Sequence, residues 1–521
     1  MKRLHRFFLF LCIFFLFSKA DFISASTVSQ TKIHFISLNS TSDAILLESN
    51  GHYGMVDSGE DWDYPNSSSY PFRTGISTGI GFEQQVIHYL KTVGVKKLDF
   101  YIATHAHSDH IGSGDEILRH FPTDRLYINR YDDSYMLDSH GTDPSDPYYI
   151  EDAQENRLWD NQYIYDCLIE AAQDTGTQII TDLDLDENAS YRSFTLGDMQ
   201  IEIMNYQRFN DNGNIIPVSS ENNNCLVTKI TAYNHVALLT SDMEPLDGDT
   251  TKIALQLIDQ LGGDSDDSSA ETDSLSDDVI TSSQSLSSSD GVTLDLPEDR
   301  SETGLQITKE FSSDSISAFS LYSDDLHDSD IDDTLPNTGK TISIDLMKMV
   351  HHSVDYNNPT FFLTSLNPKT VVVTAPISWF SERERACLPN SNVFATASDS
   401  AAVVSTFTSS GIDTSYVSLN PEWMNIDNEW YYFDKNGRPL FSNISSIEDT
   451  SYFFDAHGAV YHDGWILLPS GYYYADPSSG ELYTGWHLID GTYYYFYNSG
   501  LLATSTLIGN DYVDSSGAWV P

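Results

Sequence analysis

The chain of 521 residues has little positive charge: 26 Lys and Arg stand against 77 Asp and Glu, a formal net charge of -51. Such a balance repels a phosphate backbone, which argues against a broad nucleic-acid groove and against bare polyanions as substrates. Cysteine is scarce as well, with four in the whole chain. Cys12 lies in the leader, and Cys167, Cys225 and Cys387 form an odd, widely spaced set that implies no disulfide framework. Long hydrophobic runs are missing. The apolar stretch at residues 7–17 falls short of the roughly 20 residues that cross a bilayer. It follows Lys2, Arg3 and Arg6 and leads to Ser18 and Ala20. That order predicts a signal peptide over residues 1–25, cut after Ala20 or Ala25, and a secreted protein with no transmembrane anchor.

The length exceeds the roughly 250–300 residues that one core supports, so several parts are expected. From Lys32 to about Leu261 strand-like and helix-like stretches alternate. AILLES and YGMVDS flank Asn50-Gly51, a dipeptide that favours a type I′ hairpin turn. Val86, Ile87 and Leu90 recur at helical spacing before Gly94, a stop signal. LDFYIAT reads as a buried strand running straight into a histidine cluster. Between about Asp264 and Asp333 the chain turns to Asp, Glu and Ser with only Arg300 and Lys309 basic, too polar to offset chain entropy, and is expected to be a disordered acidic insertion. The folded pattern resumes at ISIDLMKMV and runs through TVVVTA to about residue 420, so a hydrolase domain is expected over residues 31–420, interrupted at about 264–333.

Many of the 31 Tyr and 8 Trp crowd into the last hundred or so residues. Gly437, Gly458, Gly480, Gly500 and Gly517 recur at a near-constant interval, each after an aromatic strand such as WYYFDKNG or SYFFDAHG. Each unit reads as a short hairpin with the glycine in its turn and aromatics that need a neighbouring unit to bury against. Residues 421–521 are therefore expected to form a β-hairpin solenoid.

The densest chemistry is Thr104-His105-Ala106-His107-Ser108-Asp109-His110, four metal-binding side chains in the loop after a strand. Such a loop can turn His105 and His107 toward one ion and Asp109 and His110 toward another. Imidazole and carboxylate donors suit Zn²⁺ at about 2.0–2.2 Å. A lone histidine is more often a core residue, but this spacing is not that of a core.

This cluster resembles the HxHxDH signature of the metallo-β-lactamase superfamily. The resemblance implies an αβ/βα sandwich of the α/β class and a pair of zinc ions. It also implies roles for further residues: Asp57 in GMVDSGED as the early acid that orients the loop ligands, Asp242 in ALLTSDME as the bridging ligand, and the last histidine in His351-His352. His105 and His107 would hold the first ion, Asp109, His110 and His352 the second, with His351 the alternative to His352 and Asp242 between the two. Asp57, Asp109 and Asp242 are the acids expected to serve catalysis. The isolated histidine usual between the cluster and the bridging acid is absent, SENNNCLV taking its place. His235 is read as structural.

KIHFISLNSTSDAILLESNGHYGMVDSGED, KKLDFYIATHAHSDHIG, RLWDNQYIYD, ENNNCLV, DLMKMVHH and YVDSSGAW are similar to the phosphorylcholine esterase branch of that superfamily. That implies a phosphodiesterase acting on choline-bearing teichoic or lipoteichoic acid. A quaternary ammonium binds through cation–π and Coulomb attraction, and Trp62, Tyr64 and Trp159, beside Asp61, Asp63 and Asp160, are the candidate cage. The terminal units, with Gly464-Trp465 and Gly485-Trp486, resemble choline-binding or glucan-binding wall repeats, where Trp465, Tyr473, Trp486 and Tyr494 would bind ligand. Competing expectations are a β-lactamase or nuclease on the same fold, and a wall-bound adhesin with a vestigial metal site.

Overall fold

The computed structural model describes residues 30–146, 149–209, 213–244, 250–262 and 342–521. The expected signal peptide and the acidic insertion both lie outside the described residues.

The chain alternates as its patterns predict. Strands β1 (Thr31–Ile36), β2 (Ala44–Ser49), β3 (His52–Ser58), β4 (Phe100–Ile102), β5 (Arg125–Tyr127) and β6 (Gln178–Ile180) come first. β7 (Ser193–Leu196), β8 (Met199–Met204), β9 (Val227–Ala232), β10 (His235–Leu239), β11 (Leu346–Lys348), β12 (Thr370–Val373), β13 (Asn392–Ala395), β14 (Ala402–Thr408) and β15 (Gly411–Val417) follow. They form an eight-stranded sheet in the order β15-β14-β1-β2-β3-β4-β5-β6 and a seven-stranded sheet in the order β13-β12-β11-β10-β9-β8-β7. β10 and β11 pair in parallel, so the chain on either side of residues 263–341 belongs to one sheet. Asn50 and Gly51 both have positive φ (56° and 79°) in the turn that joins β2 to β3, the conformation a type I′ hairpin requires.

Strand alternation sorts the side chains into layers. Ile33, Phe35, Ile45, Leu47, Phe100 and Ile102 point between the sheets. Ile36, Leu46 and Tyr101 point the other way, onto the helices Glu83–Val93, Gly114–His120 and Asn161–Thr175. A third core, with Met347, Val371 and Val373, lies under the helices Thr250–Gly262 and Thr360–Leu366. The result is the αβ/βα sandwich expected from the resemblance. The helix Glu83–Val93 ends where Gly94 takes φ 101° and donates its N–H to the Leu90 and Lys91 carbonyls.

The described residues divide into two compact units, one holding the sandwich with residues up to Phe441 and 456–459, the other 442–455 and 460–521. In the first, the hairpin β16 (Glu422–Ile426)–β17 (Glu429–Phe433) packs on the helix Glu83–Val93, with Phe433 stacked on His88 at 3.8 Å between centroids. In the second, β18 (Asn443–Ile447) pairs with β19 (Thr450–Phe454), β20 (Trp465–Leu468) with β21 (Gly471–Tyr474), and β22 (Gly485–Ile489) with β23 (Thr492–Phe496). β24 (Thr506–Ile508), β25 (Asp511–Val513) and β26 (Trp519–Val520) close the unit. Apart from Gly517, in the turn between β25 and β26, the recurring glycines are not at the hairpin tips, which Asp427-Asn428, Glu448-Asp449 and Asp490-Gly491 form with positive φ. They sit in the next turn, which reverses the chain toward a bridge such as Phe454↔Val460 or Phe496↔Leu502.

Candidate metal centre

The expected metal ligands and Asp57 lie at one edge of the sandwich, where strands of both sheets end. Asp57 is near the end of β3, the cluster follows β4, Ser241 and Asp242 follow β10, and His351 and His352 follow β11. The edge is strained. Asp57, Ser241, His351, His352 and Ser353 all have φ between 47° and 74°, and such left-handed positions cost about 1–3 kcal/mol each for residues other than glycine.

One ligand atom from each of Asp109, His110, Asp242 and His352 can be chosen so that all lie within 4.8 Å of one another. Asp242 Oδ2 is 3.0 Å from His110 Nε2 and 3.1 Å from His352 Nε2, and Asp109 Oδ2 is 3.3 Å from His352 Nε2 and 4.0 Å from His110 Nε2. His351 Nε2 stands farther off, 3.6 Å from Asp242 Oδ2, and is not in the group. His105 and His107 form a separate pair, Nε2 to Nδ1 3.0 Å. Nε2 of His107, His110 and His352 is buried and makes no aligned hydrogen bond, although carboxylate oxygens crowd the last two. Three buried imidazole nitrogens without an aligned hydrogen bond, converging with carboxylates, are unusual in a finished core. Tetrahedral ligands at 2.0–2.2 Å from zinc stand roughly 3.3–3.6 Å apart, inside the spread seen here, so the donor set fits a metal.

The outer nitrogens are held. His110 Nδ1 donates to Asp57 Oδ2 at 2.8 Å, and Asp57 also accepts from the Thr104 N–H and hydroxyl, each at 2.8 Å. This fixes the His110 tautomer and turns Nε2 to the centre. His352 Nδ1 lies 3.0 Å from Thr374 Oγ1 and 3.4 Å from Asp43 Oδ1. Ser241 donates to Thr104 Oγ1 at 2.8 Å, tying the two sheets together.

Burial drives His105 well below the ordinary imidazole pKa and His107 and His351 to about 4, so these rings are neutral near pH 7 with a lone pair to offer. Burial opposes charge on His110 and His352 too. There the carboxylates win: Asp242, Asp109 and Asp57 raise His110, and Asp242 and Asp43 raise His352, both well above the ordinary value. Burial likewise opposes charge on Asp242, but His110, His352 and Lys348 hold it well below the usual carboxylate range.

Several partners lie outside the expected ligand set: Asp43, Thr104, Ser241, Thr374 and Lys348. Lys348 is fully buried, and its ammonium lies 2.7 Å from Asp43 Oδ2 and 3.0 Å from both Asp242 Oδ1 and the Ser241 carbonyl. The signal for it was a lone lysine inside the apolar strand LMKMV. Glu221, in the stretch that replaces the isolated histidine, is buried, and burial pushes its carboxyl to about 7. It accepts from Asn224 Nδ2 at 2.6 Å and from the Ala106 N–H at 3.4 Å, bracing the cluster loop. His235 lies away from this edge, 3.3 Å from Asp345.

Of the proposed head-group residues, Trp159 is at the centre, 5.3 Å from His107 between ring centroids. Trp62 packs on His457 at 4.6 Å, and Tyr64 is exposed against Phe72 at 6.1 Å, so no ring contact joins the three. Asp61 and Asp160 are buried and Asp63 is exposed. Burial, with neighbouring acids, raises Glu60 and Asp61 well above the carboxylate range, and burial raises Asp160 to about 6.

Residues 39–165 match the metallo-beta-lactamase superfamily, the stretch that carries Asp57 and the whole histidine loop. Residues 422–438 and 484–502 match the cell wall binding repeat of the choline-binding type. The chain joins a metallo-β-lactamase domain to choline-binding repeats. None of the curated proteins matches it. Among solved structures it is similar to choline binding protein F from Streptococcus pneumoniae, 28% identical, with 23% of this chain and 38% of that one covered and a TM-score of 0.18. The modular autolysin LytC from Streptococcus pneumoniae is 23% identical over 23% of this chain and 35% of that one, TM-score 0.14. The match thus spans less than half the length of either structure.

In the hairpin stack, Trp465 lies 5.1 Å from Tyr494 of the next hairpin and 5.1 Å from Tyr474, with its ring part-exposed. Trp486 stands 5.3 Å from Tyr495 and is equally open. Tyr473 is instead buried in the core of the stack beside Ile466 and Leu482, its hydroxyl 2.9 Å from Ser470 Oγ. The register explains the difference: Tyr473 and its neighbours Tyr472 and Tyr474 point to opposite faces of β21.

Proposed function

We propose that the protein is a secreted, wall-associated zinc phosphodiesterase that releases phosphorylcholine from choline-bearing teichoic or lipoteichoic acid. The observation that carries this reading is the union in one chain of a hydrolase-type His/Asp centre and choline-binding repeats. His105 and His107 would hold one zinc ion, Asp109, His110 and His352 a second, with Asp242 shared. Bound zinc would supply Lewis acidity toward a phosphoryl oxygen and the attacking water.

The chain's own residues do the rest. Asp57 holds the proton on His110 Nδ1 and so keeps Nε2 aimed inward. Neutral His105 and His107 present lone pairs at physiological pH. Trp159, beside His107 and next in sequence to the buried Asp160, offers an aromatic face and a carboxylate to a quaternary ammonium while the attached phosphate reaches the centre. Trp62 and Tyr64 lie on the loop leading away from Glu60 and Asp61 and would contact the polymer farther out. The open rings of Trp465, Tyr494 and Trp486 would hold choline units of the same polymer, concentrating substrate at the wall.

The test is hydrolysis by the zinc-loaded chain of p-nitrophenylphosphorylcholine, bis-p-nitrophenyl phosphate, nitrocefin and DNA. Preference for the choline ester, lost in H105A/H107A, supports the reading. Nitrocefin or DNA as the better substrate, or undiminished turnover in H105A/H107A, refutes it.

A further inference from the structure

Lys348 lies on β11 of the seven-stranded sheet, yet its ammonium contacts Asp43, in the loop before β2 of the other sheet. An ammonium has three donors, and all three are used, on Asp43 Oδ2, Asp242 Oδ1 and the Ser241 carbonyl. No donor is left for substrate, and the group is fully buried, so it can neither bind a phosphate nor deliver a proton to a leaving group. What it can do is orient. With Oδ1 of Asp242 engaged by the lysine, only Oδ2 faces His110 and His352. Asp43 passes the constraint on electrostatically, its Oδ1 lying 3.4 Å from His352 Nδ1, which bonds the Thr374 hydroxyl at 3.0 Å, while Oδ2 takes the ammonium.

We infer that Lys348 is a positioning residue: an internal cation that ties the two sheets at the metal edge, turns one oxygen of Asp242 to the ion, and through Asp43 sets the ring of His352. The inference rests on the metal-centre reading above. It makes a differential statement, because Lys348 reaches two members of the Asp109, His110, Asp242 and His352 group and has no contact with His105 or His107. A stiff, correctly turned carboxylate matters most to the ion that depends on both Asp242 and His352. Partners that orient metal ligands in this way are worth about 10–100-fold in metal affinity.

The experiment is zinc competition against a chromophoric chelator, with Co²⁺ absorption as a second readout, on the full chain and on K348M, which keeps the stem and removes the charge. The measurements are repeated with H105A/H107A and with H110A/H352A as backgrounds. K348M should weaken the ion left in H105A/H107A at least 10-fold and change its cobalt spectrum, and should weaken the ion left in H110A/H352A, which shares Asp242 but not His352, by a smaller factor. D43N, which preserves shape if K348M fails to fold, should lower affinity for the same ion more than for the other. A wild-type chain that binds no zinc overturns the metal centre itself. A wild-type chain that binds zinc while K348M and D43N match it, or lose both ions equally, overturns only the role of Lys348.

Discussion

Asp57 Oδ2 accepts the Nδ1–H of His110 at 2.8 Å while His110 Nε2 lies 3.0 Å from Asp242 Oδ2, so one buried imidazole links the acid of β3 to the acid beyond β10. Replacing Asp57 with Asn offers one acceptor fewer to Thr104 and His110 and frees the imidazole tautomer. D57N is expected to fold and to lose about 10–100-fold in metal affinity, measured by chelator competition; unchanged affinity would show that the contact does not orient the ligand.

The two adjacent histidines separate by geometry. His352 Nε2 is the closer to Asp242 Oδ2, at 3.1 Å against 3.6 Å for His351. H352A should reduce bound metal by one ion per chain in elemental analysis, whereas H351A should keep the full content. The reverse pattern would make His351 the ligand.

Choline binding by the repeats should follow exposure. W465A or Y494A is expected to weaken retention on a choline matrix, with free choline eluting less protein, because each removes a face within about 6 Å of a bound cation. Y473F keeps the buried ring and should be retained as wild type. Equal loss in all three would point to damage of the stack.

Gly480 has φ 72°, and a Cβ there would lie 2.3 Å from Val460 Cγ1. G480A therefore combines a left-handed backbone with a clash and should destabilise the repeat unit by about 1–3 kcal/mol or more, seen as a lower thermal midpoint with the sandwich unaffected. An unchanged midpoint would show that the turn relaxes freely.

Burial raises the Glu83 carboxyl to about 7 from an ordinary 4.5. A raised carboxyl pKa means the folded state holds a proton that the unfolded chain has released. Its favourable contribution is therefore present below about pH 4.5 and is lost as pH rises through about 7. E83Q, which can still accept from the Trp62 N–H, should gain stability relative to wild type between about pH 5 and pH 8 in thermal melts. A constant difference across that range would remove Glu83 from the pH dependence.

Much of this protein could be read along the chain. Four donors crowd into the loop after LDFYIAT, Asn50-Gly51 marks a hairpin, and glycines return after each aromatic strand. These are local signals, because turn geometry and strand alternation are set by neighbours in sequence. The choice between His351 and His352, the burial of Tyr473, the pairing of Trp465 with Tyr494, and the spread of Trp62, Tyr64 and Trp159 are set by which sheet face or hairpin meets which. The lysine at 348 is the sharpest case. As sequence it is one charge in an apolar strand; the pairing of β10 with β11 brings Asp242 to it, and only the closing of the two sheets brings Asp43, since a buried ammonium is tolerable only where carboxylates from distant segments converge on it.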